Sequence, residues 1–195
     1  MSPVEAFLQE LDRLWDGEDR ITLRVIGSVA LMLQVPFVRP TKDSDVLEVA
    51  SLSEDTRQRL RILGGEKTPL AERHRIYLDI VPAGLPFLPK PPVFHHSVEL
   101  SAKLQHFEVE VLDVVDVVVS KLKRFSVNDQ GDIEEMANLG AVDPTVFLER
   151  FKNALNANSM SAVADDYPRI VDNFHAVQRD WLYVDETDID LPSWS

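Results

Sequence analysis

Val25-Ile26-Gly27-Ser28-Val29-Ala30-Leu31, with Lys42-Asp43-Ser44-Asp45-Val46 and Leu78-Asp79-Ile80 further along the chain, is the part of the sequence that decides the fold. Residues Ile21 to Ile26 are rich in β-branched and aliphatic side chains and predict a strand. Gly27-Ser28 breaks it, and Val29 to Gln34 is helix-prone. After Pro36 and Pro40 the chain turns extended again, with a second strand over Asp43 to Val49. A third strand is predicted over Arg75 to Val81, where imperfect alternation suggests burial on both faces. The clean alternation of His106 to Leu112 gives a fourth.

Helical signals surround these strands. Ser2-Pro3-Val4-Glu5 is a capping box with Pro at the first helical position, and Phe7, Leu8, Leu11, Leu14 and Trp15 recur at helical spacing until about Gly17. Ser53 can cap a helix that Gly64-Gly65 stops. Pro82 to Pro92 holds five prolines and is expected to be irregular, a rigid connector between strands. Beyond it come a helix capped by Asp113 and reaching Phe125, another over Asp129 to Leu139, and one opened by Asp143-Pro144. Ser161 to Tyr183 is mostly helical, with Pro168 starting or kinking a helix, and Trp181 and Tyr183 near its end as packing anchors. The expected fold is mixed α/β (α+β): a small, twisted, mixed sheet over residues 1–112, a helical bundle over 113–184 and a solvated acidic tail over 185–195.

At 195 residues the chain can bury a proper core. Cysteine is absent, which removes disulfides, zinc-thiolate sites and thiol nucleophiles and points to a reducing cytoplasm. The opening Met-Ser-Pro-Val-Glu lacks the basic flank and apolar run of a signal peptide, and no apolar stretch is long enough to span a bilayer. A net charge of −13 argues against broad nucleic-acid binding. Nine basic residues nevertheless lie between Arg24 and Arg75, so a local basic surface is possible on an acidic protein. No Gly-x-Ser-x-Gly elbow, Walker lysine loop or His-Glu-x-x-His helix occurs. His95-His96 has no partner at ligand spacing and is expected to be structural.

Residues two apart on a strand share a face, so Asp43 and Asp45 should present carboxylates to one side. Asp79 lies among Ile76, Leu78, Ile80 and Val81, where an unpaired carboxylate is costly. If the two strands pair, three carboxylates converge, and hard cations such as Mg²⁺ or Mn²⁺ take oxygen ligands of this kind. At the strand-to-helix junction Gly27 permits close backbone approach, Ser28 adds a hydroxyl, and a helix N-terminus favours phosphate. Arg39 and Lys42, beside the acids, could bind phosphate or an acceptor, but charge balance is the plainer expectation.

In this order the motifs resemble the polymerase-β-like nucleotidyltransferase superfamily: a strand, Gly-Ser, a helix, Asp-x-Asp, and a third carboxylate on a later strand. The resemblance implies Asp43, Asp45 and Asp79 as metal ligands and catalytic residues. It also implies a nucleoside triphosphate as substrate, with its phosphates on Gly27 and Ser28. A nucleoside monophosphate would pass by a two-metal mechanism to an acceptor that could be RNA, a protein or a small molecule. Ser120-Lys121-Leu122-Lys123-Arg124 and Asp129-Gln130-Gly131-Asp132 look like the prokaryotic branch that includes abortive-infection and toxin–antitoxin nucleotidyltransferases. There the resemblance implies that Lys121 contacts the triphosphate, that Asp129 and Asp132 tie the helical part to the active domain, and that a toxin or antitoxin could be a partner. Where relatives often carry Arg-Asp, this chain has Asn128-Asp129. The rival expectation is a non-catalytic binding module or antitoxin on the same fold, acting through nucleotide or protein binding.

Overall fold

Ser2 opens α1 (Pro3–Leu14) with the reciprocal bonds of a capping box: its hydroxyl accepts from Glu5 N–H, and its own N–H donates to the Glu5 carboxylate. The computed structural model describes residues 2–37, 43–47, 52–81 and 86–191, and for 43–47 the backbone alone. The chain divides into two compact units, one of residues 1–85 and 94–112, the other of 86–93 and 113–195.

In the first unit α1 is followed by β1 (Ile21–Val25), α2 (Gly27–Met32), β2 (Asp43–Leu47), α3 (Glu54–Gly64), α4 (Pro69–His74), β3 (Tyr77–Val81), β4 (Phe94–His96), α5 (Val98–Ser101) and β5 (Phe107–Leu112). The strands form one mixed sheet in the order β3-β2-β1-β5-β4. Pairing is parallel for β2 with β3 and for β1 with β5, and antiparallel for β1 with β2 and for β4 with β5. The mixed α/β expectation holds, with a fifth, three-residue strand at one edge.

One face of this sheet is core. Ile21, Leu23 and Val25 on β1, Phe107, Val109 and Val111 on β5, and Leu78 and Ile80 on β3 are buried, together with Phe7, Leu8 and Leu11 of α1 and Leu60 of α3. Gly64 is the close-approach point of that core: a Cβ there would meet Phe7 Cζ at 3.2 Å, Leu11 Cδ1 at 3.3 Å and Leu78 Cβ at 3.6 Å. Buried Asp12 fixes the entry to β5, accepting from Gln105 N and His106 N at 2.8 Å each. The opposite face is polar, because Thr22 and Arg24 alternate with the buried β1 residues, and Glu108 and Glu110 with those of β5.

Strand β3 corrects an expectation. It does not bury both faces: Leu78 and Ile80 point inward, whereas Asp79 is exposed between them. An exposed Asp79 carboxylate therefore carries no burial cost, contrary to the expectation for this strand.

The second unit holds α6 (Val114–Lys121), α7 (Val127–Asn138), α8 (Pro144–Ala157), a short 3₁₀ turn (Ala162–Asp166) and α9 (Tyr167–Asp180). Pro168 starts α9 rather than kinking a longer helix. Phe174 stacks on Phe151 at 4.2 Å between ring centres and lies 4.9 Å from Phe147, so α8 and α9 share an aromatic core. The proline-rich strip before β4, expected as a rigid connector, packs as a strap of this unit. Phe87 packs 6.3 Å from Phe151, and Asn158 Nδ2 donates to Leu88 O at 3.1 Å. Arg150 Nη2 donates to Pro91 O at 2.9 Å.

The acidic end is not wholly solvated either. Thr187 N donates to Gln178 Oε1 at 3.0 Å, and Arg179 pairs with Glu186, which ties the segment after α9 back along that helix. Trp181 packs against Phe125 with tilted rings 5.9 Å apart, as a packing anchor should, but Tyr183 is 82% exposed. Among the described residues no helix is long and apolar enough to cross a membrane.

Candidate functional site

β1 and β2 run antiparallel, with Val25 opposite Val46, so Gly27 and Ser28 follow β1 level with the start of β2. β2 and β3 then run parallel with Asp45 opposite Asp79 and Asp43 opposite Tyr77. Register partners lie on one side of a sheet, as do residues two apart on a strand. The positions of Asp43, Asp45 and Asp79 therefore share the polar face that carries Arg24 and Glu110. The side chains of Asp43 and Asp45, and Arg39 and Lys42 entirely, lie outside the described residues. Among the described residues no group of three or more His, Asp or Glu side chains is arranged to hold a metal ion.

The donor chemistry of the three acidic positions suits a hard divalent cation, which takes carboxylate oxygens. Asp79 is exposed at the edge strand of the sheet, open to a ligand.

Gly27 has φ 67°, in the left-handed region that a side chain disfavours. It opens α2, which spans only Gly27–Met32. A macrodipole needs a longer run of aligned peptides than this. Any phosphate contact here thus belongs to the turn's own N–H groups and the Ser28 hydroxyl, not to a helix dipole. The turn is fixed from behind, since Gln34 Nε2 donates to both Ala30 O and Leu112 O at 2.8 Å, pinning α2 to the end of β5.

In the second unit, Lys121 is not a lysine snorkelling from the core edge. It is 6% exposed, with Nζ 2.8 Å from Asp132 Oδ2 and 3.2 Å from Asp129 Oδ1, both aspartates 1% exposed. Arg124 completes the group with Nε 2.7 Å from Asp129 Oδ2 and Nη2 2.8 Å from Oδ1. Ser126 caps α7 and donates both N–H and O–H to Asp129 Oδ2, at 3.0 and 2.7 Å. Burial alone pushes the Asp129 carboxyl up, but hydrogen bonds from Arg124 and Ser126 and the Lys121 charge outweigh it and hold the group well below the usual carboxylate range. The guanidinium beside Asp129 comes from Arg124, since position 128 is Asn.

Sequence reasoning missed two residues on the polar face. Arg24 counted only as one of several basic residues, and Phe94 lies on the short edge strand that no periodicity announced. Arg24 Nε donates to Glu110 Oε2 at 2.8 Å, and its guanidinium lies 5.1 Å from the centre of the Phe94 ring.

A mixed sheet whose first strand ends in a positive-φ glycine turn, beside an Asp-x-Asp strand paired with a third aspartate, is built like a nucleotidyltransferase domain, the class that the sequence resembles. The comparison of the whole chain agrees. Residues 4–181 match the model of the family described as nucleotidyltransferase of unknown function (DUF6036), and the chain belongs to that family. No curated protein and no solved structure matches it.

Proposed function

We propose that the chain moves a nucleoside monophosphate from a nucleoside triphosphate onto an acceptor, with Mg²⁺ or Mn²⁺ held by Asp43, Asp45 and Asp79. The observation that carries this reading is the parallel register of β2 and β3, which sets Asp45 beside Asp79 with Asp43 on the same face. Divalent cations at such acids lower the pKa of an attacking hydroxyl and neutralise charge on the leaving pyrophosphate.

The chain's own residues have the following parts. Gly27 and Ser28 hold the phosphates by backbone N–H groups and a hydroxyl, with the turn locked by Gln34. The acceptor's oxygen bonds to the α-phosphorus as the bond to the β-phosphate breaks and pyrophosphate leaves. Asp79, exposed on the edge strand, takes the acceptor's proton. The acceptor is RNA, a protein or a small molecule.

The test is incubation of the protein with each of the four labelled nucleoside triphosphates, Mg²⁺ and a cell extract. Transfer predicts label in an RNA, protein or small-molecule fraction, lost in Asp43→Asn. Triphosphate binding with no labelled acceptor for any nucleotide would favour the binding module or antitoxin instead.

A further inference from the structure

The polar face of the sheet carries a second group that the transfer reading leaves unused. Arg24 and Glu110 are register partners on β1 and β5, and Phe94 lies one strand further out on β4. The carboxylate of Glu110 takes Arg24 Nε at 2.8 Å, and the guanidinium carbon stands 5.1 Å over the Phe94 ring. One flat cation is therefore fixed at its edge by an acid and backed on one face by an aromatic ring. It is still open: the Arg24 side chain is 39% exposed. The Nη nitrogens of Arg24 make no hydrogen bond among the described residues.

Its position in the sheet is what gives this group a purpose. β1 is flanked on one side by β2 and β3, which carry the three acids, and on the other by β5 and β4, which carry Glu110 and Phe94. The Gly27 turn follows Arg24 directly along β1. A triphosphate seated on that turn, with its α-phosphorus toward the acids, leaves its nucleoside end two sides to lie on. On the acidic side the planar side chain is Tyr77, in register with Asp43 and so among the positions that would hold the cation and the reacting phosphate. The β5–β4 side offers a guanidinium plane, and β4 is two strand spacings from β1, about 10 Å, within reach of a nucleoside. Arginine planes stack on nucleobases, and a guanidinium held by a carboxylate and a ring loses little freedom when it does so.

We propose that Arg24, backed by Phe94 and held by Glu110, is the stacking platform for the base of the nucleoside triphosphate. The assignment rests on the transfer reading for the place of the phosphates. Stacking of this kind tolerates every base, so the platform adds affinity for a nucleoside without choosing among the four.

The test compares ATP with inorganic tripolyphosphate, each titrated calorimetrically with Mg²⁺ into the wild type, Arg24→Lys and Phe94→Ala. Arg24→Lys keeps the charge and removes the plane, and it carries the test if Phe94→Ala melts too low to use. The wild type should bind ATP about tenfold or more tighter than tripolyphosphate. In both variants that margin should disappear while tripolyphosphate binding stays as it was. Equal affinity of the wild type for the two ligands, or a margin that survives both substitutions, overturns the platform and leaves the phosphate site standing. A loss of tripolyphosphate affinity in Arg24→Lys overturns it too, by making Arg24 a phosphate ligand. If the wild type binds neither ligand, the phosphate site fails and the platform goes with it.

Discussion

Asp45 and Asp79 are direct neighbours across the parallel pair of β2 and β3. Two acids brought to adjacent register positions, with Asp43 on the same face, gain most from a cation that neutralises them. A ligand that binds only the folded state stabilises it by mass action, by about 2.7 kcal/mol at a hundred times its dissociation constant. Added Mg²⁺ or Mn²⁺, with triphosphate present, should therefore raise the melting temperature by several degrees. The gain should vanish in Asp45→Ala. An equal gain in the wild type and the variant, followed by differential scanning fluorimetry, would mean that the acids are a solvated patch.

The Gly27 turn gives a second prediction. At φ 67° a side chain costs about 1–2 kcal/mol, and in the proposed transfer it would also stand in the way of the phosphate at the backbone. Gly27→Ala should lose a few degrees of melting temperature and a much larger share of its affinity for tripolyphosphate with Mg²⁺. Affinity and stability falling in proportion would reduce Gly27 to a structural glycine.

How much of this was legible in the sequence depended on how local each cause is. The capping box at Ser2, the caps at Ser53 and Asp113 and the Pro-led start of α8 are set by residues two or three apart, and all formed where their signals lie. The strand over Phe94–His96 gave no signal because three residues cannot show a period; it exists through its pairing with β5. The helix Pro69–His74 was missed although Thr68-Pro69 is a start signal, and its Thr68 hydroxyl caps Ala71 N–H. The spacing of Asp43, Asp45 and Asp79 suggested one face, but only strand order and register could put Asp45 beside Asp79. The Lys121 cluster was hidden most deeply. A lysine after three valines looks the same whether its end reaches water or two buried aspartates on the following helix.

That cluster predicts a pH dependence. Asp129 has a folded-state pKa below its unfolded one, so the stability it contributes is complete above about pH 4, the unfolded value, and is lost as pH falls through the folded value. Asp129→Asn weakens the bonds from Arg124 and Ser126 and leaves Lys121 with Asp132 alone, and should cost about 1–3 kcal/mol at pH 7. Urea denaturation of the two proteins at pH 7 and pH 3 should find the gap narrower at the lower pH. A gap of equal size at both would show that Asp129 acts as a neutral hydrogen-bonding group.

The strap of the second unit supplies the last prediction. Asp116 is fully buried and takes Arg150 in a two-pronged pair, Nε to Oδ1 at 2.6 Å and Nη2 to Oδ2 at 2.7 Å, while Val93 N donates to Oδ2 at 2.8 Å. Arg150 Nη2 also donates to Pro91 O, so a single guanidinium joins α6, α8 and the proline-rich strip. The Asp116 carboxylate stabilises the Arg150 cation in turn and raises its pKa. Arg150→Met removes the cation and leaves a buried carboxylate with Val93 N–H, a change that costs about 3–5 kcal/mol for groups of this kind. Asp116→Leu strands the guanidinium and releases the strip at Val93. If the pair is valued for its geometry rather than for raw stability, the double variant Asp116→Leu/Arg150→Met should recover a large part of the loss, because two apolar side chains fill the space without desolvated charge. Urea denaturation of the wild type, the two single variants and the double variant gives the coupling free energy directly. A double variant as unstable as the sum of the two singles would mean that Asp116 and Arg150 act independently and that other contacts hold the strip.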